Sequence, residues 1–392
     1  MKLRTLKAAF LFLSLVFISV LADAQTTSPE YVVPNVVTTA VPFLRISPDA
    51  RSGAMGDAGI GLSPDANSGF WDLAKTPFST TNDAVGLTYT PWLQDIASGV
   101  YLVTLAGYHK LDDEQAISAS VRYFNLGDIQ FTDYNGTNLQ LYRPREYAID
   151  FGYSRKVADK LSLGVALRYI NSSLANGSIG GVVYKAGQTV AADVSLFHNG
   201  VNDDGQGFTY GLVLSNLGGK IGYTDNAQAK DFIPANIGIG GAYSAKLDQD
   251  NKMTFDIDIN KLLVPALPTS TGNDSIDQVN LDTYHTQSVF GSWGKSFSNQ
   301  AYTFSGGLEY TYNDQFMARA GYFWEGKNQG DRRYFTLGVG LKYNVFGFNF
   351  SYLVPSGNGV TRNPLSNTLR FSILFNLDNQ GDNNTDAATP AN

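Results

Sequence analysis

The chain has 392 residues, of which 43% are hydrophobic, 13% aromatic and only 16% charged, with 40 glycines and no cysteine. Charged residues fall well below the roughly 25% of an ordinary soluble domain, yet the mean hydropathy of −0.14 excludes a bundle of transmembrane helices. A formal charge of −7 argues against a nucleic-acid partner, and the lack of cysteine excludes disulfide scaffolds, thiolate metal sites and cysteine nucleophiles.

Residues 1–24 read as a cleaved export signal. Lys2, Arg4 and Lys7 form a basic start, Ala8 to Leu21 an apolar stretch, and Ala22-Asp23-Ala24 an A-x-A cleavage site ahead of Gln25. The apolar stretch is short for a membrane anchor, which needs roughly 20 residues. Loss of the segment removes three positive charges and one negative, and takes the formal charge from −7 to −9. The chain is therefore expected to leave the cytoplasm.

Residues 25–84 are rich in Pro, Gly, Ser and Asp and show no sustained alternation. Ser47-Pro48-Asp49 is echoed by Ser63-Pro64-Asp65. Each is expected to start a short helix, with the hydroxyl as cap, proline in the first turn and a carboxylate facing the positive helix end. Such a segment ahead of a barrel is read as a plug in its lumen, in preference to a periplasmic extension.

From residue 85 the pattern has period two, which places alternate side chains on opposite faces of a strand. Tyr147, Ile149, Phe151 and Tyr153 oppose Glu146, Asp150 and Ser154; Tyr302, Phe304, Leu308, Tyr310 and Tyr312 oppose Thr303, Ser305, Glu309 and Thr311. Fourteen such strands are expected, near 85–92, 98–108, 116–126, 145–156, 161–170, 189–198, 207–217, 235–245, 252–261, 301–312, 315–324, 333–343, 346–354 and 367–376. A soluble sandwich also alternates. Strand length suited to a tilted bilayer crossing, aromatic residues near strand ends and the export signal favour a transmembrane barrel over residues 85–377. Short connections such as 110–115 and 246–251 alternate with longer ones such as 127–144 and 262–300, as periplasmic turns and external loops do. Residues 286–297 could pass for a fifteenth strand; the alternation places them instead as structure inside the longest loop. The polar segment 378–392 is expected to be a disordered tail.

The inferred lumen face carries Arg122, Glu146, Asp150, Arg168, Asp256, Asp258, Glu309, Arg319 and Arg370. With both signs mixed, these can pair with plug groups such as Asp49, Arg51, Asp57 and Asp65, or simply line a wet lumen.

The block Thr39-Ala-Val-Pro-Phe-Leu-Arg-Ile-Ser-Pro-Asp-Ala-Arg-Ser-Gly-Ala-Met-Gly-Asp57, continuing through Ser63-Pro-Asp-Ala-Asn-Ser68 to Trp71, resembles the opening of the PorV family. These are outer-membrane barrels of the type IX protein secretion system, related in fold to the FadL fatty-acid transporters. Glu309-Tyr-Thr-Tyr-Asn-Asp-Gln-Phe316, Arg319-Ala-Gly-Tyr322, Asn363-Pro-Leu365 and Thr368-Leu-Arg-Phe371 extend the likeness along the chain. One departure is Trp71-Asp72-Leu73-Ala74-Lys75, where the family usually reads Trp-Asn-Pro-Ala-Lys.

The resemblance implies an all-β, 14-stranded antiparallel FadL-like barrel with an N-terminal plug. It also implies a role in collecting secreted cargo by C-terminal signal domains from the large outer-membrane translocon. Delivery would be to a surface attachment complex containing the PorU sortase. Outer-membrane lipid completes the expected partners, and no cofactor is expected.

Recognisable catalytic chemistry is sparse. His109, His198 and His285 are scattered, without metal-ligand spacing. Asp256-Ile-Asp258-Ile-Asn260 begins like a calcium loop, but Lys261 stands at its sixth position and the alternation puts it on a strand. Gly238-Ile-Gly240-Gly241 has no helix after it and reads as barrel-wall glycine rather than a nucleotide loop. The expectation is a non-enzymatic export component; a transporter of hydrophobic small molecules is the alternative, and a lipid-modifying enzyme is the weakest reading.

Overall fold

Fourteen antiparallel strands close into one barrel in the computed structural model, which describes residues 36–93, 98–133, 135–179, 181–225, 230–354, 365 and 367–377. The expected export signal 1–24, residues 25–35 of the N-terminal segment and the expected tail 378–392 lie outside the described residues. The strands are β1 (Asp83–Pro91), β2 (Val100–Lys110), β3 (Gln115–Leu126), β4 (Arg145–Ala158), β5 (Leu161–Ser173), β6 (Gly187–Asn199) and β7 (Gly207–Gly218). They continue as β8 (Asn236–Lys246), β9 (Asn251–Leu262), β10 (Tyr302–Tyr312), β11 (Phe316–Glu325), β12 (Arg333–Tyr343), β13 (Phe346–Leu353) and β14 (Leu369–Leu377). Each pairs with its sequence neighbours, and β1 closes on β14 with Asp83 opposite Leu377. Closure leaves no strand edge unpaired, the condition for sheet in hydrocarbon.

The alternation read from the sequence becomes two surfaces. In β10, Thr303, Ser305, Glu309 and Thr311 are buried inward, while Phe304, Tyr310 and Tyr312 are exposed outward. Leu87, Val121, Phe151, Leu167, Ile257 and Val339 continue the outward apolar band around the wall. An apolar surface of that extent is stable against lipid and not against water. No helix among the described residues is long and apolar enough to cross a membrane; the strands do so.

One end of the barrel carries short turns and the other carries long loops. Asn313, Asp314 and Asn344 sit at positive φ in two of the short turns, a conformation their small polar side chains tolerate. At the long-loop end, three small hairpins pair Ile129–Thr132 with Asn138–Tyr142, Gly177–Ile179 with Val182–Tyr184, and Ile221–Gly222 with Lys230–Asp231.

Ahead of β1 the chain runs along the inside of the barrel. A single turn, Pro42–Arg45, lies at the long-loop end, and two short helices follow, α1 (Ala50–Ala54) and α2 (Ser68–Trp71). A 3-10 stretch, Leu73–Phe78, leads to β1 at the short-turn end. Two further helices, α3 (Asp274–Thr286) and α4 (Val289–Lys295), occupy the longest loop, so residues 286–297 contribute no fifteenth strand.

The two Ser-Pro-Asp echoes differ from expectation. In the first, Asp49 and not Ser47 caps α1, accepting from Ser52 N at 2.8 Å. In the second, Asp65 folds over a turn to accept from Asn67 N at 2.8 Å, and the helix starts only at Ser68. A carboxylate two residues past the serine reaches the free amides better than the hydroxyl, so the acidic residue takes the capping role.

Candidate functional site

The bore is filled from end to end. At the long-loop end Phe43 and Leu44 are fully buried among inward apolar side chains that include Leu102, Phe124, Ile170, Phe323 and Leu353. Burying a phenylalanine in this way contributes about 1.5–3 kcal/mol. Sequence alternation anticipated a polar lumen; near this end the inward positions turn apolar and grip the Pro42–Arg45 turn.

Below that collar, ion pairs tie plug to wall. Arg51 lies 3.2 Å from Glu309 of β10 and 3.2 Å from Asp65, and Glu309 is also paired with Arg319 of β11 at 2.6 Å. Arg370 of β14 reaches Asp57 at 3.3 Å, while Tyr334 of β12 donates to the other Asp57 oxygen at 2.6 Å. Asp258 of β9 accepts from Gly59 N at 2.7 Å and Ile60 N at 2.9 Å. Arg122 of β3 donates to the Leu44 carbonyl at 3.2 Å and lies over the Phe70 ring, 4.9 Å from its centroid.

Other members of the expected network stay within one body. Asp49 serves α1 and accepts from the Trp71 indole at 2.8 Å, and among the described residues it pairs with no wall cation. Arg168 is held by Asp150 and Asp193, the latter at 2.8 Å, and donates to Asn216, all within the wall. Glu146 accepts from Ser172 at 2.6 Å. Asp256 is fully buried and makes no ion pair among the described residues.

The geometry adds residues that sequence reading missed. Arg45 and Arg332 share the fully buried Glu325, at 3.2 and 2.6 Å. Lys75, buried in the plug, donates to the Gly59 carbonyl at 2.6 Å. Asp72 caps the 3-10 stretch by accepting from Ala74 N at 2.9 Å, and burial pushes its carboxyl up to about 8 despite the nearby Lys75. Asp193 alternates inward like Asp150 and was legible on that ground. Asp72 caps a 3-10 stretch and Lys75 lies within it, and the stretch is too short for periodicity to assign a direction.

Backbone closeness completes the fit. A Cβ on Gly321 of β11 would stand 2.0 Å from Gly56 N, and one on Gly240 of β8 would stand 2.6 Å from Ile60 Cβ. At these two points the wall carries no side chain where the plug approaches it. One cavity inside, lined by Leu44, Ile46, Phe70, Asn216 and Tyr334 among others, measures ≈ 110 Å³.

No cluster of three or more His, Asp or Glu side chains among the described residues is arranged for a metal ion. His109 pairs with Asp83 at 2.6 Å, His198 stacks on Tyr210 at 4.6 Å, and His285 lies 3.7 Å from Asp231.

At the long-loop end, α3 packs on the loop after β7. Tyr284 meets Phe232 edge-on at 5.4 Å, and Lys220 donates to the His285 and Gln287 carbonyls at 2.7 and 2.6 Å. Apolar side chains nonetheless stand exposed on the hairpins and on α3: Leu139, Leu141, Val182, Val183, Ile276 and Val279.

The family model described as type IX secretion system protein PorV matches residues 30–269. Among solved structures, the Pseudomonas putida toluene transporter TodX matches with 12% identity and a TM-score of 0.50, over 84% of this chain and 98% of that one. The monoaromatic hydrocarbon channel CymD matches with 13% identity and a TM-score of 0.51, over 85% and 98%. A Pseudomonas aeruginosa FadL homologue matches with 12% identity and a TM-score of 0.46, over 84% and 98%. The first two likenesses bear on the fold alone, and among curated proteins there is no match. With the family model spanning more than half of its residues, the chain, an outer-membrane β-barrel, belongs to the PorV family of the type IX secretion system.

Proposed function

We propose that this barrel works as a carrier platform for protein export. It binds the C-terminal signal domains of secreted cargo at the translocon and hands the cargo to a PorU-type surface attachment complex. The observation that carries the reading is the contrast between the two candidate working regions. The cavity inside the bore beside Leu44, Phe70 and Tyr334 holds ≈ 110 Å³, below the roughly 300–1,000 Å³ of small-molecule sites. The long-loop end instead presents exposed apolar side chains on two hairpins and α3, the kind of surface that marks a protein partner. Family membership supplies the secretion context.

Deletion of the chain from its cell is the test. Cargo bearing C-terminal signal domains is expected to accumulate in the periplasm, and re-expression of the full chain is expected to restore its surface delivery. Undiminished delivery in the deletion strain overturns the reading.

A further inference from the structure

A second cavity, of ≈ 780 Å³, lies on the outside of the wall. Its floor is formed by outward residues of β4, β5 and β6, among them Phe151, Leu167 and Val190, and its roof by Val289, Phe290 and Trp293 of α4. Loop helix and lipid-facing wall therefore stand apart with an apolar gap between them. The volume falls within the roughly 300–1,000 Å³ of ligand sites.

Four of its lining residues are strongly exposed: Phe290 at 78%, Leu167 at 67%, Val190 at 66% and Phe151 at 65%. Their convergence on one cleft concentrates apolar surface that some occupant must cover. The only charged lining residue, Arg168, has its guanidinium committed to Asp150, Asp193 and Asn216. The cleft therefore offers no free charge to an anionic head group, and its chemistry fits uncharged hydrocarbon.

Position selects the source of that hydrocarbon. Tyr147 and Tyr169 lie together on the same wall, ring centroids 6.2 Å apart, and Tyr147 stands four residues nearer the long-loop end than Phe151. Outward tyrosines near a strand end mark the membrane interface. Phe151 lies roughly 13 Å along the strand from Tyr147, on the hydrocarbon side of that level. The cleft thus runs from the level of Tyr169, which lines it beside its cross-strand partner Val190, into the lipid-facing band at Phe151 and Leu167.

From this geometry we infer that α4 and the β4–β6 wall form a clasp for one acyl chain of a membrane lipid, whose head group stays at the tyrosine level. The clasp holds a lipid at the foot of the longest loop. It is independent of what the loops bind.

The test uses the full-length protein in nanodiscs of phosphatidylethanolamine and phosphatidylglycerol, with a trace phospholipid carrying a diazirine near its acyl terminus. After irradiation and digestion, adducts are expected to concentrate on peptides containing Phe290 and Trp293. The outward residues Ile257 and Val339 report ordinary annular lipid. Leu167→Trp fills the cleft without adding charge, and should abolish the α4 adducts while leaving the Ile257 and Val339 adducts unchanged. Labelling of α4 no stronger than at those two reference sites, or unchanged in Leu167→Trp, overturns the clasp. Displacement of the label by free palmitate overturns the assignment to membrane lipid. In whole cells, a photo-reactive residue at position 290 is expected to capture lipid; capture of protein as the main product overturns the proposal in favour of a protein-covered face.

Discussion

Arg51 and Glu309 lie 258 positions apart in the chain and 3.2 Å apart in the bore. That pair joins the plug to the wall, and its two ends are shared, with Asp65 on the plug side and Arg319 on the wall side. Arg51→Ala leaves Asp65 without its cation and Glu309 with one guanidinium in place of two. Removing one member of a buried pair costs about 3–5 kcal/mol; the partial shielding of this network sets the expected loss at about 3 kcal/mol. Limited proteolysis of the purified barrel is expected to cut within residues 47–79 of the variant and to spare the parent.

The contact between β11 and the plug leaves no room for a methyl group. Gly321→Ala would set its Cβ 2.0 Å from Gly56 N, and both positions are backbone on backbone, so no flexible side chain can give way. Overpacking of this kind costs about 1–3 kcal/mol. A lowered temperature for the heat-induced shift in gel mobility is the expected readout, with Gly306→Ala as the control because its Cβ meets only Asp256 O at 3.9 Å.

Asp72 gives the plug a pH dependence of unusual sign. Its carboxyl is pushed up to about 8 by burial, against about 4 in the unfolded chain. Between those values the folded protein holds the proton and the unfolded chain does not, so this residue's contribution to stability falls as pH rises from about 4 to about 8. Asp72→Asn keeps a carbonyl oxygen for Ala74 N and removes the charge. Its unfolding temperature relative to the parent is expected to rise between pH 5 and pH 8, and a constant difference would contradict the assignment.

Phe43 stoppers the long-loop end. Phe43→Ala opens a cavity among Leu102, Phe124 and Leu353 and costs about 3–5 kcal/mol. In a planar bilayer the parent is expected to be electrically quiet, and the variant to show transient openings.

Leu141, Val183 and Val279 provide the test of the contact surface. All three are exposed at the long-loop end, so replacement by Asp removes apolar area without opening a core. The triple variant is expected to keep the parent's heat-shift temperature and to lose co-purification with cargo signal domains.

All fourteen strands were legible because each obeys period two and one face meets lipid; none of their ends differs by more than three residues from the alternation. Arg319, Glu309 and Arg370 could be placed inward for the same reason. The plug was legible only as composition. Its backbone direction is set by tertiary contacts, such as Lys75 to the Gly59 carbonyl and Asp258 to two successive amides, which no local pattern encodes. The apolar collar around Phe43 escaped for a related reason: alternation tells inside from outside, but not what the inside touches. The outer cleft could not be seen at all, because α4 and Leu167 are separated by more than a hundred residues and share no motif.

A tube braced from within resists flattening. Glu309, Arg319, Tyr334 and Arg370 come from β10, β11, β12 and β14, and each is tied directly or through its partner to the same short stretch of plug, residues 51–57. Asp258 anchors the stretch that follows, from the neighbouring β9. An oval cross-section would have to break several of these ties at once. The long loops therefore stand on a pedestal that keeps its shape, so a rearrangement at that end can stay within the loops themselves.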